Sequence, residues 1–221
     1  MLAAQIRTLG IVSVALMLSS NGQELDQSNF RKSPLLNQRI NLANPDVASI
    51  QLAVALVTNE VRIKNRRKPL LLRAALVRSA QMHADDMAKG GFFSHNNPKD
   101  RSKKTPKQRA ALAGIANPLI AENIAQNFGI QYVAGTSVSF GGPGVLIDKG
   151  GNPIPAHTPL SLADTLVEQW MNSRGHRQNI LSKDALEIGC GVGFYTNAKF
   201  NQSSGVYAVQ NFQLFQPSQT N

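Results

Sequence analysis

Among 221 residues there is a single cysteine, Cys190 in "IGCGVGF". No intrachain disulfide can form, so the fold has to be held by packing alone. Flanked by glycines in an apolar run, the thiol reads as a small buried side chain and not as a nucleophile, which needs a polar, electropositive setting. Other absences are as informative. There is no Gly-x-Ser-x-Gly elbow, no phosphate-cradling glycine loop between a strand and a helix, and no internal repeat. Acidic residues are scarce, 13 against 23 lysines and arginines, which gives a net charge of +10. An apolar run long enough to span a bilayer, roughly 20 residues, is missing too. The run near the start covers only Leu9 to Leu18.

That short run follows Arg7 and precedes Ser20-Asn21-Gly22, the layout of a secretory signal peptide over residues 1–22. Retention of the segment as a membrane tether is the alternative; no cysteine follows it to carry a lipid anchor. A secreted, periplasmic or cell-envelope location is expected, with no stable transmembrane segment after cleavage. The remainder divides into a polar linker over 23–46, one folded domain over 47–215 and a tail over 216–221.

Within the domain, Asp46 is a candidate N-cap, and Val47, Ile50, Val54, Val57 and Val61 recur at helical spacing until "RRKPL" ends the pattern. A second helix is expected from Arg73 to Lys89, stopped by Gly90-Gly91, and a third from Pro106 to Ala113 capped by Thr105. "NPLIAENIAQNFG" reads as a brief helical turn around Glu122. Residues 133–157 are rich in glycine and proline and read as a β-hairpin-like insertion. "SLADTLVEQWMNS" is helical again with Ser161 as cap, and "EIGCGVGFY" and "GVYAVQNFQLF" are closing strands.

The cationic excess is clustered. Arg62, Lys64, Arg66, Arg67, Lys68 and Arg73 form one run; Lys99, Arg101, Lys103, Lys104, Lys107 and Arg109 form another around Asp100. Such runs are most often solvated surface. The alternative is an anionic envelope polymer or lipid headgroup held through Lys103, Lys104 and Lys107. Nucleic acid is not expected, because no aromatic residues interleave the basic positions as a stacking platform.

Three polar residues stand at the edges of apolar segments: His95 in "GFFSH", Glu122 in "IAENIA" and His176 in "SRGHRQNIL". Two imidazoles and a carboxylate suffice for an open zinc-like site or an acid–base cluster. Each also has a structural reading: a cap, a backbone-bonded carboxylate, a satisfied core histidine. Their separations of 27 and 54 residues match no compact ligand motif.

Taken in order, "LVTNEVRIKNRRKPLLLRAALVRSAQMHADDMAKGGFFSH", "IAENIA", "VEQWMNSRGHRQNIL", "IGCGVGF" and "YAVQNF" resemble the CAP superfamily, named for cysteine-rich secretory proteins, antigen 5 and pathogenesis-related proteins. The wording is most similar to its bacterial, cysteine-poor branch. The resemblance implies an α+β fold, a three-layer α-β-α sandwich with residues 133–157 as an addition, and a cleft gathering two histidines and two acids. His95 and Glu122 take the first histidine and first acidic positions, and His176 the second histidine. The second acid is replaced by Ser173, three residues after Trp170. A cation there would lose one compensating charge. Glu168 lies about 140 degrees around the same helix and reads as surface.

The resemblance further implies a secreted or envelope binding module, not an enzyme, that holds a lipid, glycan or peptide in its cleft and requires no cofactor. A metal-assisted hydrolase is the alternative, with His95 and His176 binding zinc or another divalent cation, Glu122 as base and Ser173 orienting water. Two histidines are one ligand short of the usual catalytic zinc site. Ser173 and His176 alone make at best a dyad without an orienting acid. Of the remaining polar residues, His83 is expected to pack inside its helix and His157 to lie on the surface. Asn123 and Asn179 should fix turns, and Gln210 or Asn211 should line the cleft floor.

Overall fold

A computed structural model describes residues 25–214. The expected signal peptide (1–22) and tail (216–221) lie outside the described residues. The elements in chain order are α1 (Pro34–Asn37), α2 (Val47–Lys64), β1 (Leu71–Leu72), α3 (Ala74–Gly90), α4 (Pro106–Leu112), β2 (Ile120–Phe128), β3 (Ser139–Phe140), β4 (Leu146–Ile147), α5 (Pro159–Met171), α6 (Arg174–Ile180), β5 (Ala185–Asn197) and β6 (Ser203–Leu214). A four-stranded sheet in the order β1-β5-β6-β2 forms the middle layer. Helices α2 and α5 cover one face and α3 covers the other, which is the expected three-layer sandwich.

Both faces of the sheet are buried, so its strands lack the polar alternation of a half-exposed sheet. Ile188, Cys190 and Val192 of β5 and Val206, Ala208 and Phe212 of β6 meet the buried faces of α2 and α5, including Leu56, Leu166 and Trp170. The opposite face of β5 carries Gly189, Gly191 and Gly193. A Cβ placed on these would come within 2.1 Å of Leu76, 2.3 Å of Ala80 and 2.3 Å of Ala84, all at α3 backbone atoms. The glycine stripe thus lets α3 lie directly on the sheet, with Ala80, Ala84 and Met87 packed beside Ile124, Tyr207 and Val209.

Helix starts follow local chemistry. Asp46 caps α2 by accepting from Ser49 N–H at 3.2 Å, and Thr105 forms a capping box with Gln108 at the start of α4. In α5 the cap is Thr158, three residues before the Ser161 cap expected, and Ser161 is its capping-box partner. Helix α3 ends on Gly91 in the left-handed region (φ 64°).

Two expectations about whole segments are corrected. The segment around Glu122 is not a helical turn but strand β2, paired antiparallel with β6 along its whole length. Its helix-like pattern arises because Ala125 faces the α2 and α5 layer while Ile124 faces α3. The expected linker is also part of the domain from Leu25 onward. Leu25, Phe30, Leu36 and Ile40 are buried in the main core, and Arg31 holds Glu60 at 2.6 Å and Asp164 at 3.0 Å.

The insertion does contain a small hairpin, β3 with β4, closed by Gly141 N–H donating to Val145 O at 3.0 Å; after β4, Asp148 accepts from Gly150 and Asn152 N–H and forms a second turn. Its far end is stitched to the rest: His157 N–H donates to Gly129 O at 2.9 Å, Ile40 N–H to His157 O at 2.8 Å, and Arg39 to Ala156 O at 2.7 Å. His157 is therefore buried, not on the surface as expected, and its Nδ1 meets Ser161 Oγ at 2.9 Å. His83 is buried as expected.

Substituting Gly191→Ala should lower stability by about 2–3 kcal/mol or prevent folding, since helix and sheet must separate to admit the methyl group; urea unfolding monitored by circular dichroism reads this directly. Burial, reinforced by the Arg39 charge, pushes His157 down to about 4 from an ordinary 6.5. The unfolded chain takes up that proton first, so stability falls as pH drops from 6.5 toward 4. Unfolding midpoints across this range should decline less steeply in His157→Gln than in the parent.

Candidate functional site

The loop after α3 presents His95. Phe92 packs against the α3 face of the sheet, and Phe93 stacks on Tyr207 with ring centroids 5.7 Å apart. The His83 ring nitrogen Nε2 lies 2.8 Å from Ser94 O. Downstream, buried Asn97 accepts from Lys99 and Asp100 N–H and donates to Asp86 at 2.9 Å. Asp86 also holds Lys103 at 3.1 Å. The loop carrying His95 is braced on both sides, a condition for a site held in fixed geometry.

Glu122 projects from β2 toward this loop, with its side chain only 2% exposed. Its Oε1 lies 3.0 Å from His95 Nδ1. Its Oε2 accepts from the Arg109 guanidinium at 2.7 Å. Arg109, on α4, is fully buried and donates also to the carbonyls of Lys103, Lys104 and His95. One side chain thus neutralises the carboxylate and fixes the backbone of the histidine beside it. A carboxylate can only accept, so His95 Nδ1 is the donor and Nε2 points away from Glu122, on a side chain 49% exposed.

His176 lies on α6 and is half-buried. Desolvation, then the nearby His95, lowers its pKa from the ordinary value, which favours a neutral ring. Helix α6 is fastened to the sheet by carboxamides. Asn179 donates to Asn123 Oδ1 at 2.8 Å, Asn123 donates to His176 O at 3.2 Å and Gln210 Oε1 at 3.1 Å, and Gln210 donates to Thr58 Oγ1 at 2.7 Å. Asn123 and Asn179 therefore anchor His176 across layers instead of fixing their own turns. Gln210 and Asn211 do not line a cleft floor: both are fully buried, and Asn211 bonds Ser79 beneath α3.

Ser173 occupies the N-cap position of α6 without a side-chain cap bond. Among the described residues, no group of three or more His, Cys, Asp or Glu side chains is placed to hold a metal ion. The residues present do not fit a zinc centre: Ser173 supplies no charge, and the available carboxylate is bound on both oxygens. Glu168 is exposed, as expected.

Arg109 was hidden within a run of like charges. The available signal was its place beside Ala110 and ahead of Ala113 on a short helix whose Lys107 faces solvent. The other basic run is likewise partly internal. Arg62 is buried and donates to Lys68, Ile180 and Ser182 carbonyls, burial lowering its pKa to about 10. Arg67 donates to Leu181 O, and Arg73 pairs with Glu187 at 2.7 Å.

Residues 56–212 match CAP, the cysteine-rich secretory protein family. The chain belongs to this family. It is 28% identical over 170 residues to YkwD of Bacillus subtilis, covering 75% of this chain and 52% of YkwD. It is 28% identical over 142 residues to the membrane protein YlbC of the same species, 63% of this chain and 31% of YlbC. The chain spans about half or less of these relatives' length. An extracellular protein of Bacillus anthracis containing an SCP domain superposes with a TM-score of 0.51 at 19% identity, over 76% of this CAP chain and 41% of that one. That likeness concerns the fold, and it agrees with the α-β-α sandwich described above.

Removing either member of the Arg109–Glu122 pair leaves a buried charge without its partner, which should cost about 3–5 kcal/mol. Glu122→Leu and Arg109→Met should each show this in chemical denaturation, and the Arg109→Met/Glu122→Leu double variant should recover much of the loss. Additive losses would mean the two charges are not coupled.

Proposed function

We propose that this CAP domain is an extracellular or envelope binding module whose cleft, between His95 and His176, holds an envelope ligand without chemically altering it. The observation that carries this reading is the state of Glu122. A general base needs a free lone pair aimed at the substrate proton, whereas this carboxylate is engaged by His95 at 3.0 Å and by buried Arg109 at 2.7 Å. Releasing it would strand the guanidinium. What the cleft offers outward is the Nε2 edge of His95 and a second imidazole disposed to be neutral, groups suited to hydrogen-bonding a polar ligand.

The extracellular assignment is supported by family membership and by the short apolar segment read over residues 1–22. No helix among the described residues is long and apolar enough to cross a membrane. The alternative of an anionic partner held through Lys103, Lys104 and Lys107 is less favoured, because Lys103 is already paired with Asp86 and Asp100.

The hydrolase alternative makes a sharp demand. Equilibrated with micromolar zinc near neutral pH and then desalted, the purified protein should retain no stoichiometric metal by elemental analysis, and a His95→Ala/His176→Ala variant should give the same result. One zinc per chain, lost in the double variant, would overturn the non-catalytic reading.

A further inference from the structure

A second concavity lies away from His95. A groove of about 730 Å³ runs between the end of β2, the outer face of α5 and the first residues of the insertion. Its size falls within the roughly 300–1,000 Å³ typical of small-molecule sites. The side chains lining it are unusual for a protein of net charge +10: no lysine or arginine contributes, and Glu168 is the one acid. The groove's polar groups come mostly from five carboxamides, those of Gln126, Asn127, Gln131, Gln169 and Asn172, beside an apolar wall.

These amides are partly pre-oriented. Asn127 donates to Gln169 Oε1 at 3.3 Å and accepts from Phe128 N–H at 2.8 Å, bridging strand and helix. Gln126 donates to the Tyr195 hydroxyl, and Gln131 donates to Ser161 Oγ at 3.3 Å. Each bond uses one end of an amide. Gln126 Oε1, Gln169 Nε2, the Asn172 amide and the Glu168 carboxylate make no hydrogen bond among the described residues. A rigid aromatic wall completes the groove. Phe128 meets Tyr132 edge-on at 5.0 Å, and both rings rest on Phe200 at 5.2 Å.

Each alternative ligand class lacks something here. An anion would find no cation, and a lipid chain would lie against a polar helix face. A sugar, by contrast, presents apolar C–H faces to aromatic rings and hydroxyls at its edges to neutral groups that both donate and accept. We propose that this groove binds a neutral oligosaccharide, with Tyr132 as the ring platform and Glu168, Gln169 and Asn172 as hydroxyl partners. The proposal does not depend on the His95 cleft.

Isothermal titration calorimetry of the full chain with β-1,4-linked tetramers of glucose and of N-acetylglucosamine tests this. At least one tetramer should bind saturably, with little change between about 0.05 and 0.5 M salt, since neutral contacts are not screened. Tyr132→Ala should weaken binding by about tenfold or more, equivalent to one or two lost contacts. Asn172→Ala, at an exposed helix end, should weaken it without perturbing the fold, and His95→Ala should leave it unchanged. Absence of binding by either tetramer at roughly 10 mM, far above the range of specific recognition, would overturn the proposal. So would affinity unaltered in both groove variants, or preference for an uncharged peptide of similar length.

Discussion

The direct seating of α3 on the glycine stripe of β5 is the constraint from which the site's geometry follows. With Gly189, Gly191 and Gly193 removing the β5 side chains from the contact, α3 rests on strand backbone there, a contact with less freedom to adjust than one between flexible side chains. The end of α3 is thereby fixed, and with it the loop that delivers His95 above Glu122. Slight lifting of the helix would move the histidine away from the carboxylate and from the Arg109 that holds both.

Polar groups then connect the layers. Arg109 links α4, the His95 loop and β2 on one face. On the other, Thr58, Gln210, Asn123 and Asn179 form a chain of side-chain hydrogen bonds from α2 through the sheet to α6. In a low-dielectric interior such groups are costly unless satisfied, so they specify one alignment of the layers. The two histidines are thus presented by two separately fastened elements, while the sheet edge between them carries the carboxylate.

How much of this was legible in the sequence varied with the physics involved. Helices α3 and α5 were readable from an apolar face, α2 from its apolar spacing and its Asp46 cap, and α4 from its Thr105 capping box. Strand β2 was misread because, covered on both sides, it showed no alternation, and its identity rests on pairing with β6 some 90 positions away in the chain. The family resemblance brought His95, Glu122 and His176 into one frame. The ion pair that decides what Glu122 can do stayed hidden, since no local pattern marks one arginine among many as the buried one. His157 was misplaced for a related reason: its burial depends on Ile40 and Gly129, remote segments that close over it.

The stitching of residues 25–46 to the insertion has a consequence for what counts as one unit of this fold. The family match begins at residue 56, inside α2. A fragment cut at that boundary would lose the helix cap at Asp46, the core side chains Phe30 and Leu36, and the strand of backbone around Ile40 that receives His157. The stretch recognisable by descent is therefore shorter than the stretch that must fold together, and the surplus belongs to the arm and insertion that close on each other at one end of α5.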